Sequence, residues 1–434
     1  MSFLKTVEGK NFIEHHDWYY EEIIPESKLP VIPPPILFQN RKEAPCVYID
    51  ATRMLHSSYY VGVDWLNDDT EIFIEPKLHK DSATQTNYLQ MLFDSLKHHD
   101  AVEYTYKLFE IKWNKKFISI EQTQDLLTPL LVVQFLRIVQ QIVRKGLKKS
   151  YYHVDRNLNG RIKGKIQVSR TIQKNQLQGK TLLSYCGFDE FGLNCPENRL
   201  IKKVLIFVQR YLPTIPNLSI KPFSSEVFNY IFPAFEEISE EVNHYDVVNL
   251  KTRVFYKEYE EAIRIGKLIL RRFGYNITNI SDNKIIQIPP FWIDMSKLFE
   301  LYVLGKLRDT YGNSVVFQSS AEYGNPDYLL NTGNEKIIID AKYKTYYKEG
   351  LKGQAQGKRD NIVKDIRQLS GYSRDRKIRD YLKIENAAII HCLIVFPDQK
   401  SSDELPDELI SERNAIPEFL RFYKCGIKLP IINT

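Results

Sequence analysis

Between residues 122 and 149, apolar side chains recur at steps of three and four. Leu131, Phe135, Ile138, Val139 and Ile142 fall on one face, which predicts an amphipathic helix with its stripe in a core. A second helix is expected over 85–97, and others at about 197–211, 224–241 and 254–272. Residues 1–80 follow a different rhythm. Alternating stretches at 59–65 and 71–77, separated by Asn67-Asp68-Asp69, predict a β-hairpin. Pro30, Pro33, Pro34 and Pro35 mark an extended connector.

Ile288-Pro289-Pro290 interrupts the pattern and places a boundary near residue 280. Beyond it the expected order is helix 294–310, strands 314–318, 326–330 and 336–343, helix 361–374, strand 387–396 and a terminal helix at 411–423. That mixture predicts an α/β (α+β) multidomain chain, with a C-terminal sandwich built around a small sheet. Three regions follow: a β-rich part at 1–80, a helical part at 81–280 carrying a basic hairpin at 151–170, and an α/β domain at 281–434.

Composition adds less than position. A chain of 434 residues, 43% hydrophobic and 12% aromatic, has ample material for folded cores. The net charge is only +6, but it is unevenly spread. Residues 144–180 hold eleven Lys and Arg against one acid, Asp155, so this segment alone carries +10 and the remainder is net acidic. Within it, Asn159-Gly160 is a tight-turn dipeptide followed by alternating basic and apolar residues. The expectation is a protruding hairpin with Arg161, Lys163 and Lys165 on a cationic face. That face suits an anionic partner, either nucleic acid or an acidic protein channel, and the alternative is a solvated charged strand. Glu236, Glu237, Glu240 and Glu241 read as a solvated helix face.

Five scattered cysteines without a C-x-x-C pair argue for reduced thiols, a cytoplasmic setting and no structural zinc. The N-terminus is polar and lacks a signal-peptide core, and the apolar run at 126–143 is broken by Pro129, Gln134, Arg137 and Gln140. No membrane association is expected.

The chemistry concentrates in one stretch. Asn325-Pro326-Asp327 opens an apolar strand, Asn331-Thr332-Gly333-Asn334 turns, and Ile337-Ile338-Ile339-Asp340-Ala341-Lys342 returns. Side chains two apart on a strand share a face, so Asp340 and Lys342 point the same way, and a hairpin brings Asp327 beside Asp340. Two carboxylates and an ammonium around one point suit metal-dependent phosphodiester hydrolysis. Hard divalent cations take carboxylate oxygens and neutralise phosphate charge, while the lysine orients a nucleophile. A surface ion pair is the bland alternative, although a continuous apolar strand is usually central. Gln368 and Tyr372 stand at i and i+4 on a helical face downstream, and Glu300 lies among apolar neighbours on the helix upstream.

Asp327 with Asp340-Ala341-Lys342 resembles the PD-(D/E)xK nuclease motif, and Gln368 and Tyr372 match the QxxxY element of its RecB-like branch. Glu300 occupies the upstream helical acidic position. More widely, residues 50–400 resemble the McrC family, the nuclease subunits of McrBC and LlaJI-type 5-methylcytosine restriction systems. The supporting stretches are Tyr60-Val61-Gly62-Val63, Ile74-Glu75-Pro76-Lys77, Gly160-Arg161-Ile162-Lys163-Gly164, Pro196-Glu197-Asn198-Arg199-Leu200, Leu298-Phe299-Glu300 and Ile339-Asp340-Ala341-Lys342-Tyr343.

The resemblance implies a Mg²⁺- or Mn²⁺-dependent endonuclease acting on double-stranded DNA. Asp327, Asp340 and the Ala341 carbonyl would hold the metal, with Glu300 joining directly or through water. Lys342 would position the attacking water, and Gln368 and Tyr372 would orient the lysine or the phosphate. It also implies a separate McrB-like AAA+ GTPase hexamer whose ring the N-terminal part of the chain plugs, and the basic hairpin with Arg161, Lys163 and Lys165 is the candidate for insertion. The sequence itself has no P-loop: Gly160 to Lys165 and Gly353 to Lys358 are each one residue short, and neither lysine precedes Ser or Thr. The rival readings are a non-catalytic NTPase-activating adaptor with a decayed nuclease domain and a stand-alone DNA-binding nuclease.

Overall fold

A computed structural model describes residues 2–7, 19–23, 31–40, 45–75, 85–95, 98, 104, 108–121, 127–214, 227–242, 257–272, 285–322, 324–344, 347, 356–385, 388–406 and 408–432. The chain divides into two compact units. Met1–Leu127, Asn217–Ser219 and Lys284–Thr434 form one, and Thr128–Pro216 with Ile220–Asn283 forms the other.

The first unit draws its opening sheet from strands far apart along the chain. Its strands lie in the order Ser2–Val7, Thr70–Glu75, Tyr60–Trp65, Phe291–Asp294 and Phe109–Ile111. The hairpin expected from the alternation is present, with Gly62 opposite Ile74 and Trp65 opposite Glu71. On its other edge Gly62 faces Trp292. A β-carbon there would stand 2.1 Å from the Phe291 carbonyl oxygen, so only glycine permits this approach. Asp64 on the same strand is fully buried. It accepts from Lys112 Nζ at 2.8 Å, Lys115 Nζ at 2.9 Å and Trp292 Nε1 at 3.0 Å, so the charge is partnered on both oxygens.

The second large sheet of this unit runs Val315–Phe317, Tyr328–Asn331, Lys336–Ala341, His391–Pro397 and Phe422–Ile427. The first two pairings are antiparallel and the last two parallel. Lys336–Ala341 is the central strand, and its apolar run is buried throughout, as a strand covered on both faces requires. Ile338 joins Leu329, Cys392 and Ile394 under Ile362, Ile366 and Leu369 of the helix Gln356–Tyr372. On the opposite face, Phe299 of the helix Met295–Tyr311 packs against Tyr343, and Tyr328 Oη donates to the Glu300 carbonyl. The result is helix, sheet, helix, the α/β sandwich expected from the mixed pattern.

The expected terminal helix at 411–423 is absent. A short 3₁₀ turn at Glu412–Asn414 gives way to the edge strand Phe422–Ile427. Pro417 disfavours a helical residue before it, and the alternation after Arg421 pairs instead with Cys392 to Pro397.

In the second unit, the helices Leu127–Lys145, Pro196–Tyr211 and Lys257–Arg272 gather around Gly266, whose added β-carbon would stand 2.9 Å from Val204 Cγ2 and 3.5 Å from Phe135 Cε2. The helix expected over 224–241 is interrupted. A turn of helix at 227–231 passes into the 3₁₀ turn Phe232–Phe235, because Pro233 has no N–H to continue the ladder.

The basic segment also departs from the simple hairpin at 157–166. Ser150–Asn159 pairs over its whole length with Leu183–Gly192, and Lys165–Ile166 lines the far edge of that second strand. Gly160 does turn the chain, with φ of 62°, but its N–H goes to Leu182 O rather than closing a two-residue loop. The long pairing across ten residues outweighs the local turn signal. Arg161, Lys163 and Lys165 remain exposed, although Lys163 reaches Glu190 at 3.2 Å and lies over the Phe188 ring.

All five cysteines are buried free thiols. Among the described residues, no helix is long and apolar enough to cross a membrane.

Candidate active site

The hairpin predicted from 325–343 forms with Tyr328 opposite Ile339 and Asn331 opposite Lys336. Gly333, with φ of 88°, and the Thr332 N–H to Glu335 O bond close its turn. Asp327 sits one residue ahead of its strand. Its Oδ2 accepts the Ala341 N–H at 2.8 Å, which anchors the carboxylate beside the C-terminal end of the Asp340 strand.

Asp340 is buried, and Lys342 Nζ lies 2.6 Å from its Oδ2. That close ion pair partners the buried carboxylate. Lys342 turns its hydrogen-bonding toward the helix Gln356–Tyr372, donating to Gln368 Oε1 at 3.1 Å. Gln368 Nε2 in turn donates to Tyr372 Oη at 3.1 Å. The i, i+4 spacing read from the sequence therefore becomes a relay of contacts ending on the lysine.

Glu300 enters from the other helix. It is buried, and both its oxygens accept from Lys297 Nζ, at 2.8 and 2.6 Å. Burial raises its carboxyl above the ordinary range; Lys297 opposes that rise, while the negative charge of Asp340 adds to it. Asp327 is pushed up further, first by burial and then by the charges of Asp340 and Glu300, against the pull of Lys342 and the Ala341 N–H. Burial works against the charge on Lys342, but Asp340, Asp365 and Asp327 outweigh it and hold the ammonium above the usual lysine value. Burial and the negative charge of Asp340 thus raise both Asp327 and Glu300, which marks a point short of positive charge.

That deficit bears on whether a cation fits. Asp327 and Asp340, whose charges interact, present hard carboxylate oxygens, the donor type that Mg²⁺ and Mn²⁺ take. Among the described residues, however, no group of three or more His, Cys, Asp or Glu side chains is arranged to hold a metal ion. The fit is to a pair of carboxylates, with Glu300 engaged by Lys297.

Six site residues thus come together: Asp340, Lys342, Gln368 and Tyr372 in a chain of contacts, Asp327 through its bond to Ala341, and Glu300 through its charge. Arg161, Lys163 and Lys165 belong to the other unit. Three participants were not marked by the sequence. Lys297 stands three residues before Glu300, a spacing that pairs charges on a helix. Asp365 stands three before Gln368 on the same helical face, and Lys344 stands two after Lys342.

A family model described as McrBC 5-methylcytosine restriction system component matches residues 55–381. No curated protein matches the sequence. Among solved structures, a refined half-complex from a tetradecameric assembly of Thermococcus gammatolerans McrB AAA+ hexamers with bound McrC matches at 16% identity and a TM-score of 0.36. That match covers 98% of this chain and 94% of that one. The cryo-EM structure of the Thermococcus gammatolerans McrBC complex matches at 15% identity and a TM-score of 0.27, covering 70% and 87%.

Proposed function

The chain belongs to the family of McrBC 5-methylcytosine restriction system components, and from that premise we propose that it is the DNA-cutting subunit of such a system, working with a separate McrB-like AAA+ GTPase hexamer. The observation that carries this reading is the Lys342 ammonium set 2.6 Å from Asp340, beside an Asp327 carboxylate pinned by the Ala341 N–H at 2.8 Å.

In this reading Asp327 and Asp340 would hold a divalent cation, and Glu300 would contribute negative charge to the site. The cation, when bound, supplies Lewis-acid neutralisation of phosphate charge. Lys342 donates hydrogen bonds to the attacking water and to the phosphate oxygens, stabilising charge as it develops. Gln368 fixes the direction of that ammonium, and Tyr372 fixes Gln368. The Ala341 N–H keeps the Asp327 carboxylate from rotating away. Arg161, Lys163 and Lys165, exposed at the edge of the three-stranded sheet, supply the contact to the GTPase.

The test is cleavage of double-stranded DNA by the purified chain with its GTPase partner, GTP and Mg²⁺. Asp340→Ala and Lys342→Ala should each abolish cleavage while leaving stimulation of GTP hydrolysis intact. Cleavage that persists in both variants would sink the site. Charge reversal at Arg161 and Lys165 should lower GTPase stimulation with DNA affinity unchanged; loss of DNA affinity instead would assign the face to nucleic acid.

A further inference from the structure

We propose that Asp365 is a positioning residue for Lys342, an inference that rests on the cleavage reading above. Asp365 is buried on the helix Gln356–Tyr372, one turn before Gln368. Its carboxylate gathers three groups from the segment leaving the Asp340 strand. Lys344 Nζ lies 3.4 and 3.2 Å from its two oxygens, Tyr347 Oη donates to Oδ2, and Lys342 Nζ lies 3.8 Å from Oδ1.

The geometry gives the role. Lys342 is held from three directions: Asp340 on its own strand, Gln368 by a hydrogen bond, and Asp365 by charge. Asp365 also neutralises Lys344, which stands close to the same carboxylate. With the carboxylate made neutral, two ammonium groups would face each other across it. Their repulsion would drive Lys342 off its line to Asp340 and Gln368. Displacement of a catalytic group by about 1 Å can cost on the order of 100-fold in rate. Asp365 touches neither DNA nor metal in this scheme and acts through the lysine.

The experiment is steady-state cleavage by the full chain with its GTPase partner, measuring kcat and KM for DNA. The expected order of kcat is wild type, then Asp365→Glu, then Asp365→Asn, the last lower by roughly 10- to 100-fold with KM within about twofold. Asp365→Glu keeps the charge one methylene further out and is the variant to read if Asp365→Asn does not fold. Tyr347→Phe serves as the control for a merely structural role, because it removes a donor from the same carboxylate without touching either lysine; its kcat should stay within about twofold of wild type. A wild-type kcat in either Asp365 variant, or a Tyr347→Phe loss as deep as that of Asp365→Asn, overturns the inference. Asp340→Ala run alongside separates the two levels. If it still cuts, the cleavage reading fails; if it is dead while Asp365→Asn is normal, only the positioning role fails.

Discussion

The carboxylate of Asp327 accepts the backbone N–H of Ala341 at 2.8 Å, across the mouth of the hairpin and next to Asp340. This bond holds one acid against another where solvent is scarce. Such an arrangement costs folding energy and is retained where the charge has work to do.

Asp327→Asn should therefore abolish cleavage and stabilise the protein. The amide keeps an oxygen for the Ala341 N–H and removes a buried charge repelled by Asp340 and Glu300. A gain in stability is expected at neutral pH, because the ionised Asp327 is held there against burial and like charge. The sign follows from the direction of the shift. The folded-state pKa of Asp327 is raised, so the native state holds its proton longer than the unfolded chain. Wild-type stability then falls as pH rises from the ordinary Asp value, 3.8, toward the raised one, and the advantage of Asn should vanish below pH 3.8. Thermal melts across pH would check this, and an Asn variant less stable than wild type at pH 7 would contradict it.

The pair Lys297 and Glu300 should behave as a unit. Lys297→Met leaves a buried carboxylate beside Asp340 without its ammonium, and breaking one side of a buried pair is strongly destabilising. Because Lys297 is itself part-exposed, about 1–3 kcal/mol is expected rather than the full buried value. Adding Glu300→Gln to Lys297→Met should recover most of it. A double-mutant cycle by denaturant unfolding measures the coupling, and simple additivity would show that the two groups are independent.

The relay on the Gln356–Tyr372 helix should be graded. Gln368→Leu removes the acceptor of Lys342 and should lower kcat by roughly tenfold, the scale of one lost orienting contact. Tyr372→Phe removes only the oxygen behind Gln368 and should cost less. Equal losses, or a deeper one for Tyr372→Phe, would mean that the tyrosine meets the substrate itself.

Gly62→Ala probes the sheet rather than the chemistry. Its methyl would fall 2.1 Å from the Phe291 carbonyl oxygen, so the two strands must part. Overpacking of this kind costs about 1–3 kcal/mol. A melting temperature unchanged by the substitution would show that the strand contributed from beyond residue 290 is not paired there.

Much of the site was legible because it obeys short periods. The two-residue repeat of a strand put Asp340 and Lys342 on one face, the turn chemistry around Gly333 brought Asp327 back to them, and the four-residue step of a helix aligned Gln368 with Tyr372. These are properties of local backbone geometry, which a sequence carries in its spacing. The same local logic erred where a longer pairing competed. Asn159-Gly160 is a turn, yet its strand pairs with Leu183–Gly192, and the stretch after Arg421 pairs with His391–Pro397 instead of coiling.

What the amino-acid order determined by itself was the set of chemical groups, their alternation and the apolar run that makes Lys336–Ala341 a central strand. Only the tertiary structure decided their partners. It set Lys297 against both oxygens of Glu300, brought Asp365 to Lys342 and Lys344, and inserted Phe291–Asp294 beside Tyr60–Trp65. The physical reason is that a charge's environment depends on groups that are near in space and far along the chain, so burial and neutralisation become defined only when the sheets and helices close over it.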